Sequence, residues 1–324
     1  MTEVTKDLML FSGRSNKPLA ESIAQMLSIS LSKVKITTFA NGEIFARYKH
    51  SVRGIDLFIL QSISNYEEGS VNDALMELLI MCDAAKRASA HSVTAVITHF
   101  GYSRQDKKSA AREPITAKLV ADLLMVAGVD RVITVDLHQG QIQGFFDKPV
   151  NHLTALPIFA NYFNSMNLDN VCIVSPDVGR AKAAKKLADL MGCELAIMHK
   201  SRPAHNKAEI SNVIGEVKGK TCIVNDDIID TGGSIVAGVQ ALKLKGAGDV
   251  YVCATHGLFS GQAFELLEAA DIKEVVICDT VPVPLDKQKG KFKVVSVAPL
   301  LAQAISNVFN NVSVSELFDP DFAL

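Results

Sequence analysis

Short runs of apolar, mostly β-branched residues alternate with longer helix-patterned segments along this 324-residue chain, and the alternation fixes the class of fold before any motif is read. The apolar runs are Leu8–Phe11, Lys35–Phe39, Leu57–Gln61, Val93–Thr98 and Arg131–Asp136, then Val171–Ser175, Leu195–Met198, Thr221–Asn225, Val250–Ala254 and Glu274–Cys278. Between them, apolar residues recur at helical spacing in Lys17–Leu27, Asn72–Ala88, Ile115–Ala127, Ala181–Met191, Ser234–Lys245 and Gln262–Ala270. A strand that is apolar on both faces must be covered on both. A helix between consecutive strands lets them run parallel. The sequence therefore predicts an α/β fold with mostly parallel central sheets flanked by helices. Pro114 suits a first helical position, and Gly128 and Gly246 suit helix stops.

The pattern occurs twice, and a chain of this length suits two cores better than one. We expect two similar doubly wound domains, 1–153 and 154–324, with the boundary near Asn151–Thr154, just after Pro149. A faint repeat accompanies them. Gly128-Val-Asp-Arg-Val-Ile-Thr-Val-Asp-Leu-His138 and Gly246-Ala-Gly-Asp-Val-Tyr-Val-Cys-Ala-Thr-His256 set a helix-ending glycine, a strand and a histidine at equal spacing. Duplication of one α/β unit would produce this, and so would any two helix–strand units.

Charge and composition narrow the function. A formal net charge of −2 gives no global field to draw the chain to nucleic acid or to a membrane. No apolar run approaches the ~20 residues that span a bilayer. The start, Met-Thr-Glu-Val-Thr-Lys, lacks the pattern of a signal peptide. The six cysteines are scattered, with no C-x-x-C pair, and read as buried thiols of a cytoplasmic protein rather than disulfides or a zinc site.

The densest chemistry lies in Thr221-Cys-Ile-Val-Asn-Asp-Asp-Ile-Ile-Asp-Thr-Gly-Gly-Ser234. A buried strand is expected to end in Asp226 and Asp227. Asp230 follows, then two hydroxyls and two glycines at the mouth of a helix. In an open α/β sheet, ligands bind at the carboxyl ends of the strands. Glycines let backbone N–H groups approach a phosphate, and the helix N-terminus favours its charge. The acids would repel a phosphate, so they need another partner: a vicinal diol, or a cation such as Mg²⁺. A charged turn followed by a helix cap explains less, given three aspartates and T-G-G-S so close together.

This segment closely resembles the ribose 5-phosphate-binding signature of the type I phosphoribosyltransferase superfamily. The resemblance implies that Asp226 and Asp227 hold the ribose hydroxyls, and that Asp230, Thr231, Gly232, Gly233 and Ser234 hold the 5-phosphate. Further motifs choose among its members. They are Phe39-Ala-Asn-Gly-Glu43, Gly101-Tyr-Ser-Arg-Gln-Asp-Lys-Lys108, Arg112-Glu-Pro-Ile-Thr-Ala-Lys118, Val135-Asp-Leu-His138, Ser175-Pro-Asp177 and His199-Lys-Ser-Arg-Pro203. Taken alone, Arg104, Gln105, Lys107 and Lys108 make a donor-rich loop suited to a polyphosphate or simply to solvent. Phe39 alone reads as core, His138 as a structural histidine, and His199–Asn206 as a surface loop. In order and spacing, from Phe11 to Phe318, the set is similar to the ribose-phosphate diphosphokinases (phosphoribosyl diphosphate synthetases).

That resemblance implies transfer of the diphosphate of Mg-ATP to the C1 hydroxyl of ribose 5-phosphate. It puts Arg104 and Gln105 on ATP, and Phe39, Asn41 and Glu43 around the adenine of a neighbouring subunit. It gives His138 and Asp177 to the Mg²⁺ and makes Lys200 and Arg202 a catalytic pair on a lid. It implies a hexamer built from dimers. It assigns Ser51, Arg53, Ser313 and Ser315 to a regulatory phosphate and nucleotide site. Two other readings share the acidic loop: a phosphoribosyltransferase that consumes the diphosphate, and an inactive regulatory homologue. The ATP motifs argue against the first, and Lys200, Arg202 and His138 against the second. Gly215-Glu-Val-Lys-Gly-Lys-Thr221 is one residue short of a P-loop and precedes a strand, so it is not one. The chain departs from the family pattern at several positions. Arg180 stands where glycine is usual, Ser234 replaces a threonine, and Ala110, Gly140 and Asn151 fall near the regulatory positions.

Overall fold

The computed structural model describes residues 7–204 and 207–318, with side chains described throughout except at 200–211, 316 and 318. The chain forms two compact units. The first takes the chain up to Thr154, with Thr280–Pro282 and the segment from Ser296 onward; the second holds Ala155–Asp279 and Val283–Val295. The division expected from sequence gave everything after residue 153 to one domain. In the structure the last segment returns to the first unit.

In the first unit, β1 (Leu8–Ser12) leads through α1 (Lys17–Met26) to a hairpin of β2 (Val34–Thr38) and β3 (Ile44–Tyr48). Then come β4 (Asp56–Gln61), α2 (Val71–Arg87), β5 (Ser92–Ile97), α3 (Thr116–Val126), β6 (Arg131–Val135) and β7 (Val150–Leu153). Five of these strands form one parallel sheet in the order β1-β4-β5-β6-β7. Alternate residues of each strand face α2 and α3: Phe11, Ile59, Ala95 and Val132 pack with Leu78, Met81, Val120 and Leu124. Helix α2 is well bounded, with a capping box between Ser70 and Asp73 and basic Lys86 and Arg87 in its last turn. Gly128 follows α3 at φ +95°, as a helix-stopping glycine should.

Two sequence expectations change here. The Lys35–Phe39 run does not join the main sheet; β2 pairs only with β3, antiparallel. Its Val-Lys-Ile-Thr-Thr alternation leaves one face wet, as suits a two-stranded ribbon rather than a buried strand. Tyr48 ties the ribbon down: its hydroxyl donates to the Met81 carbonyl at 2.8 Å and its ring meets Phe11 edge-on. Pro114 lies two residues before the first residue of α3 rather than within it.

The second unit runs α4 (Leu156–Ser165), β8 (Val171–Ser175), α5 (Ala181–Met191), β9 (Glu194–Ala204), β10 (Lys207–Ile214), β11 (Thr221–Ile229), α6 (Gly233–Leu244), β12 (Val250–Gly257), α7 (Ala263–Ala269), β13 (Val275–Cys278) and β14 (Phe292–Val295). Its sheet has the order β10-β9-β8-β11-β12-β13-β14, parallel except for the edge pair β9–β10. A single cluster of Val174, Val224, Val252 and Val275 with Ile235, Val239 and Leu267 forms the core on the face of α6 and α7. The last helix, α8 (Ala298–Phe309), belongs to the first unit, where it buries Leu300, Leu301 and Ile305 and packs against α1.

The repeat seen in sequence holds in part. Gly246 follows α6 at φ +82°, like Gly128, and a parallel strand follows each glycine. The histidines part company: His138 lies just beyond β6, while His256 is buried within β12. Among the described residues, no helix is long and apolar enough to cross a membrane. All six cysteines are free thiols, and five are buried.

Candidate active site

Strand order decides where a ligand can bind. In the second unit the chain steps from β8 outward to β9 and β10, then returns to the other side of β8 with β11. At such a reversal, the loops after the two central strands turn opposite ways and leave a crevice at the carboxyl ends. The predicted acidic loop leaves β11 and the Ser175-Pro-Asp177 turn leaves β8, so both sit at that crevice.

Strand β11 is longer than its sequence suggested. It continues through both acids to Ile229, because Asp226, Ile228 and Ile229 keep pairing with β12. Asp226 and Asp227 are therefore fixed on a strand rather than carried on a turn. Gly232 then adopts a left-handed φ of +77° as the N-cap of α6, a conformation that favours glycine. The first N–H groups of α6 have no partner within the helix, and its N-cap residue, Gly232, has no side chain to cap them. Thr231, Gly233 and Ser234 are exposed there, and a Cβ on Gly233 would meet nothing within 4 Å. This is an open anion cradle. The next loop braces it: Leu258 N–H donates to the Ile229 carbonyl at 2.8 Å, and Ser260 N–H to the Asp230 carbonyl at 2.9 Å. Phe259, between them, is held at φ +47° by contacts with Phe264 and Phe292. Sequence reading did not anticipate this brace.

Beside the cradle, the Asp227 side chain is 2% exposed and that of Asp226 19%. Burial, then the neighbouring Asp227 carboxylate, push the Asp226 carboxyl up to about 7, and the Arg180 guanidinium opposes the shift. Arg180 Nε lies 3.7 Å from Asp227 Oδ1 and 3.9 Å from Asp226 Oδ1. The Arg180 N–H donates to Asp177 Oδ1 at 3.0 Å, and the Ser175 hydroxyl donates to the Asp177 carbonyl at 2.7 Å. Asp177 thus caps the turn that carries Arg180. The signal for Arg180 was present in sequence, as a bulky cation three residues past Asp177, but it was not among the site residues.

Lys200 and Arg202 lie on β9, which continues past the predicted Leu195–Met198 run and pairs with β10. Residues 199–204 of the segment expected as a loop are therefore strand; the side chains of Lys200 and Arg202 fall outside the described part of the structure.

The first unit presents the other predicted groups. Phe39 to Glu43 form a tight exposed turn, with Phe39 N–H donating to the Glu43 carbonyl at 2.8 Å and Gly42 at φ +90°. Phe39 is 53% exposed, so the reading of it as core does not hold: its ring stands at the tip of the ribbon near Phe45. Asn41 Oδ1 accepts the Glu43 N–H at 3.2 Å. Arg104, Gln105, Lys107 and Lys108 are exposed on the loop after β5, where Gln105 Oε1 accepts the Thr116 hydroxyl at 2.6 Å. His138 is half-buried after β6, where Asp136 turns the chain at φ +39°. Ser51, Arg53, Ser313 and Ser315 are all exposed; Ser313 Oγ accepts the Ser315 N–H at 3.0 Å. Among the described residues, no three His, Cys, Asp or Glu side chains converge as a metal cage.

Comparison with known proteins bears on the whole chain. Residues 8–128 match the model of the N-terminal domain of ribose phosphate pyrophosphokinase, and residues 203–319 match the phosphoribosyl synthetase-associated domain. The ribose-phosphate pyrophosphokinase of Clostridium tetani is 48% identical over 98% of this chain and 99% of its own. That of Caldanaerobacter subterraneus subsp. tengcongensis is 50% identical over 98% of this chain and 100% of its own. The crystal structure of phosphoribosylpyrophosphate synthetase from Mycobacterium smegmatis covers 94% of this chain and 100% of its own, with a TM-score of 0.88 and 47% identity. About half of all residues are shared along nearly the full length of each relative, which is far more than a common fold requires. By this measure the chain belongs to the ribose-phosphate pyrophosphokinase family.

Proposed function

We propose that this protein transfers the diphosphate of Mg-ATP to the C1 hydroxyl of ribose 5-phosphate, giving phosphoribosyl diphosphate and AMP. The observation that carries this reading is the pairing of opposites at the β8–β11 crevice. A helix N-terminus with a glycine at its N-cap follows, a few residues on, two carboxylates fixed on a strand. A sugar phosphate is anionic at one end and a diol in the middle, so it matches both. The 5-phosphate takes the N–H groups and hydroxyls of Asp230–Ser234, and the ribose hydroxyls donate to Asp226 and Asp227. ATP is held by Arg104 and Gln105, and its adenine by Phe39, Asn41 and Glu43.

The anomeric oxygen bonds to the β-phosphorus, the bond from that phosphorus to the α,β-bridging oxygen breaks, and AMP leaves. Lys200 and Arg202 neutralise the charge that develops. His138 and Asp177 would hold the Mg²⁺, which supplies further charge neutralisation on the phosphates. One or two protein ligands suffice for this ion when substrate phosphates complete its shell, so the lack of a three-residue cage among the described residues fits. The proton of the anomeric hydroxyl is released as the new bond forms.

The adenine residues come from the first unit and the sugar loop from the second. We propose that they meet across subunits of a homohexamer in the cytoplasm, with Ser51, Arg53, Ser313 and Ser315 forming a regulatory anion site. The deciding assay is AMP release from ATP that depends strictly on ribose 5-phosphate. A phosphoribosyltransferase or an inactive homologue would release none. A mixture of Glu43→Ala/Asn41→Ala chains with Lys200→Ala chains, refolded together, should regain part of the activity if sites are shared between subunits.

A further inference from the structure

We infer that Arg180 is the positioning residue of the sugar-hydroxyl site, a fixed counter-charge that holds Asp226 and Asp227 side by side as acceptors for a vicinal diol. The inference rests on the ribose 5-phosphate reading above. Two carboxylates next to each other on one strand, both largely shielded from water, repel one another and lose hydration together. A cation in the same space offsets that repulsion and favours the charged forms. Arg180 is that cation: its side chain is 15% exposed, and its Nε faces one oxygen of each acid.

The distances define its role. At 3.7 and 3.9 Å, Nε is close enough to stabilise both charges but beyond hydrogen-bond length, and it donates to no acceptor among the described residues. The guanidinium Nε therefore supplies charge without taking up acceptor sites. Asp226 Oδ1 already accepts the Asp227 N–H at 2.9 Å, which orients that carboxylate on the strand. On this inference, further acceptor capacity of the pair goes to the sugar hydroxyls. Arg180 is itself anchored from β8, by its N–H on Asp177, so the two loops of the crevice are tied together through one side chain. The downward pull of Arg180 on the Asp226 carboxyl agrees with this arrangement.

The test compares substrates as well as variants, in the full-length enzyme. Arg180→Gln keeps the size of the side chain and removes its charge; Arg180→Lys keeps the charge. With Arg180→Gln, KM for ribose 5-phosphate should rise about tenfold or more while KM for ATP stays within about twofold. The preference in kcat/KM for ribose 5-phosphate over 2-deoxyribose 5-phosphate should fall about tenfold, because only the diol uses both acids. Arg180→Lys should restore most of both losses. The inference is overturned if Arg180→Gln leaves KM for the sugar unchanged. It is equally overturned if both sugars lose in proportion, or if Arg180→Lys is as impaired as Arg180→Gln. Should Arg180→Gln fail to fold, Arg180→Gly carries the same expectations. Wild-type protein that forms no AMP would refute the activity itself, a different result from any of these.

Discussion

The two units lay parallel strands under helices in the same way, yet they end those strands differently. In the first, strand order follows chain order, β1-β4-β5-β6-β7, with no reversal. The carboxyl ends of β1 and β4 are filled by their own polar groups. Gln61 and Glu77 are completely buried. Gln61 Nε2 donates to Glu77 Oε1 at 3.0 Å, Arg14 Nε to Glu77 Oε2 at 2.6 Å, and the Ser15 hydroxyl to Gln61 Oε1 at 2.6 Å. A Cβ at Gly13 would clash with the Gln61 side chain, so the plug is tight. In the second unit, order reverses between β8 and β11, and the polar groups there are a helix N-terminus with a glycine N-cap and two acids facing a cation at ion-pair distance. Polar groups that satisfy one another belong to the structure. Polar groups gathered at a strand reversal stand where an open sheet takes its ligands.

The largest expected effect tests whether the chemistry resides in the second unit. Lys200→Ala should lower kcat by about 10³-fold, the scale for removing a cation that serves a phosphoryl transition state, with smaller changes in KM. Single-turnover kinetics would measure it. A loss below about tenfold would remove Lys200 from the catalytic pair and leave the β9–β10 arm as structure only.

The contrast itself can be broken by one substitution in each unit. Glu77→Ala strips the plug of its charge and strands Arg14 and Gln61, so it should cost about 3 kcal/mol of stability. Folded molecules should keep KM for the sugar. Gly233→Val should do the reverse. The space beside Gly233 is empty and its backbone is not left-handed, so the fold tolerates a side chain there. That side chain would occupy the anion cradle, and KM for ribose 5-phosphate should rise about 10- to 100-fold at nearly unchanged Tm. Denaturant unfolding and initial-rate kinetics on both variants decide it. If Glu77→Ala changed the sugar KM and Gly233→Val did not, the assignment of site and plug would be inverted.

Much of this was legible in the sequence because periodicity and turn chemistry are local. The run Val171–Ser175 and the helix Ala181–Met191 appear in the structure with the same ends, and Gly128 and Gly246 stop helices as their type suggests. Helices α4 and α8 went unread, although Pro157 and Pro299 at their second positions mark their starts. Strands β7, β10 and β14 also went unread: β7 is only half-buried, β10 is a sheet edge, and β14 is a short partly exposed edge strand, so none carries a long apolar run. The return of α8 to the first unit is a long-range packing event that no local pattern encodes. At the site, the residue types of the 226–234 segment pointed to a sugar phosphate, the reading proposed above. That β11 runs on through Asp226 and Asp227 depends on its pairing with β12, and that Arg180 reaches them depends on how β8 and β11 lie side by side.

The smallest expected effect concerns what the site costs the fold. Asp226 has a carboxyl raised to about 7 by burial and by Asp227, above the ~3.9 of an unfolded chain. A raised carboxyl favours the protonated form in the folded state, so ionising it opposes folding. That opposition is absent below about pH 4, where the group is protonated in both states. It grows as pH rises through the folded value and is complete above about pH 7. Asp226→Asn removes it. The ligand-free variant should be more stable than the wild type at about pH 8, read as a higher Tm, and should show almost no gain at about pH 4. Arg180 keeps Asp227 as its partner, so no buried cation is stranded. The same substitution removes a sugar acceptor and should raise KM for ribose 5-phosphate. Differential scanning calorimetry across this pH range, set beside the kinetics, tests both halves. A Tm that falls at about pH 8, or a gain that does not depend on pH, would show that the acid pair is not held at the expense of stability, and the contrast between a stabilising plug and a destabilising acid pair would lose its energetic basis.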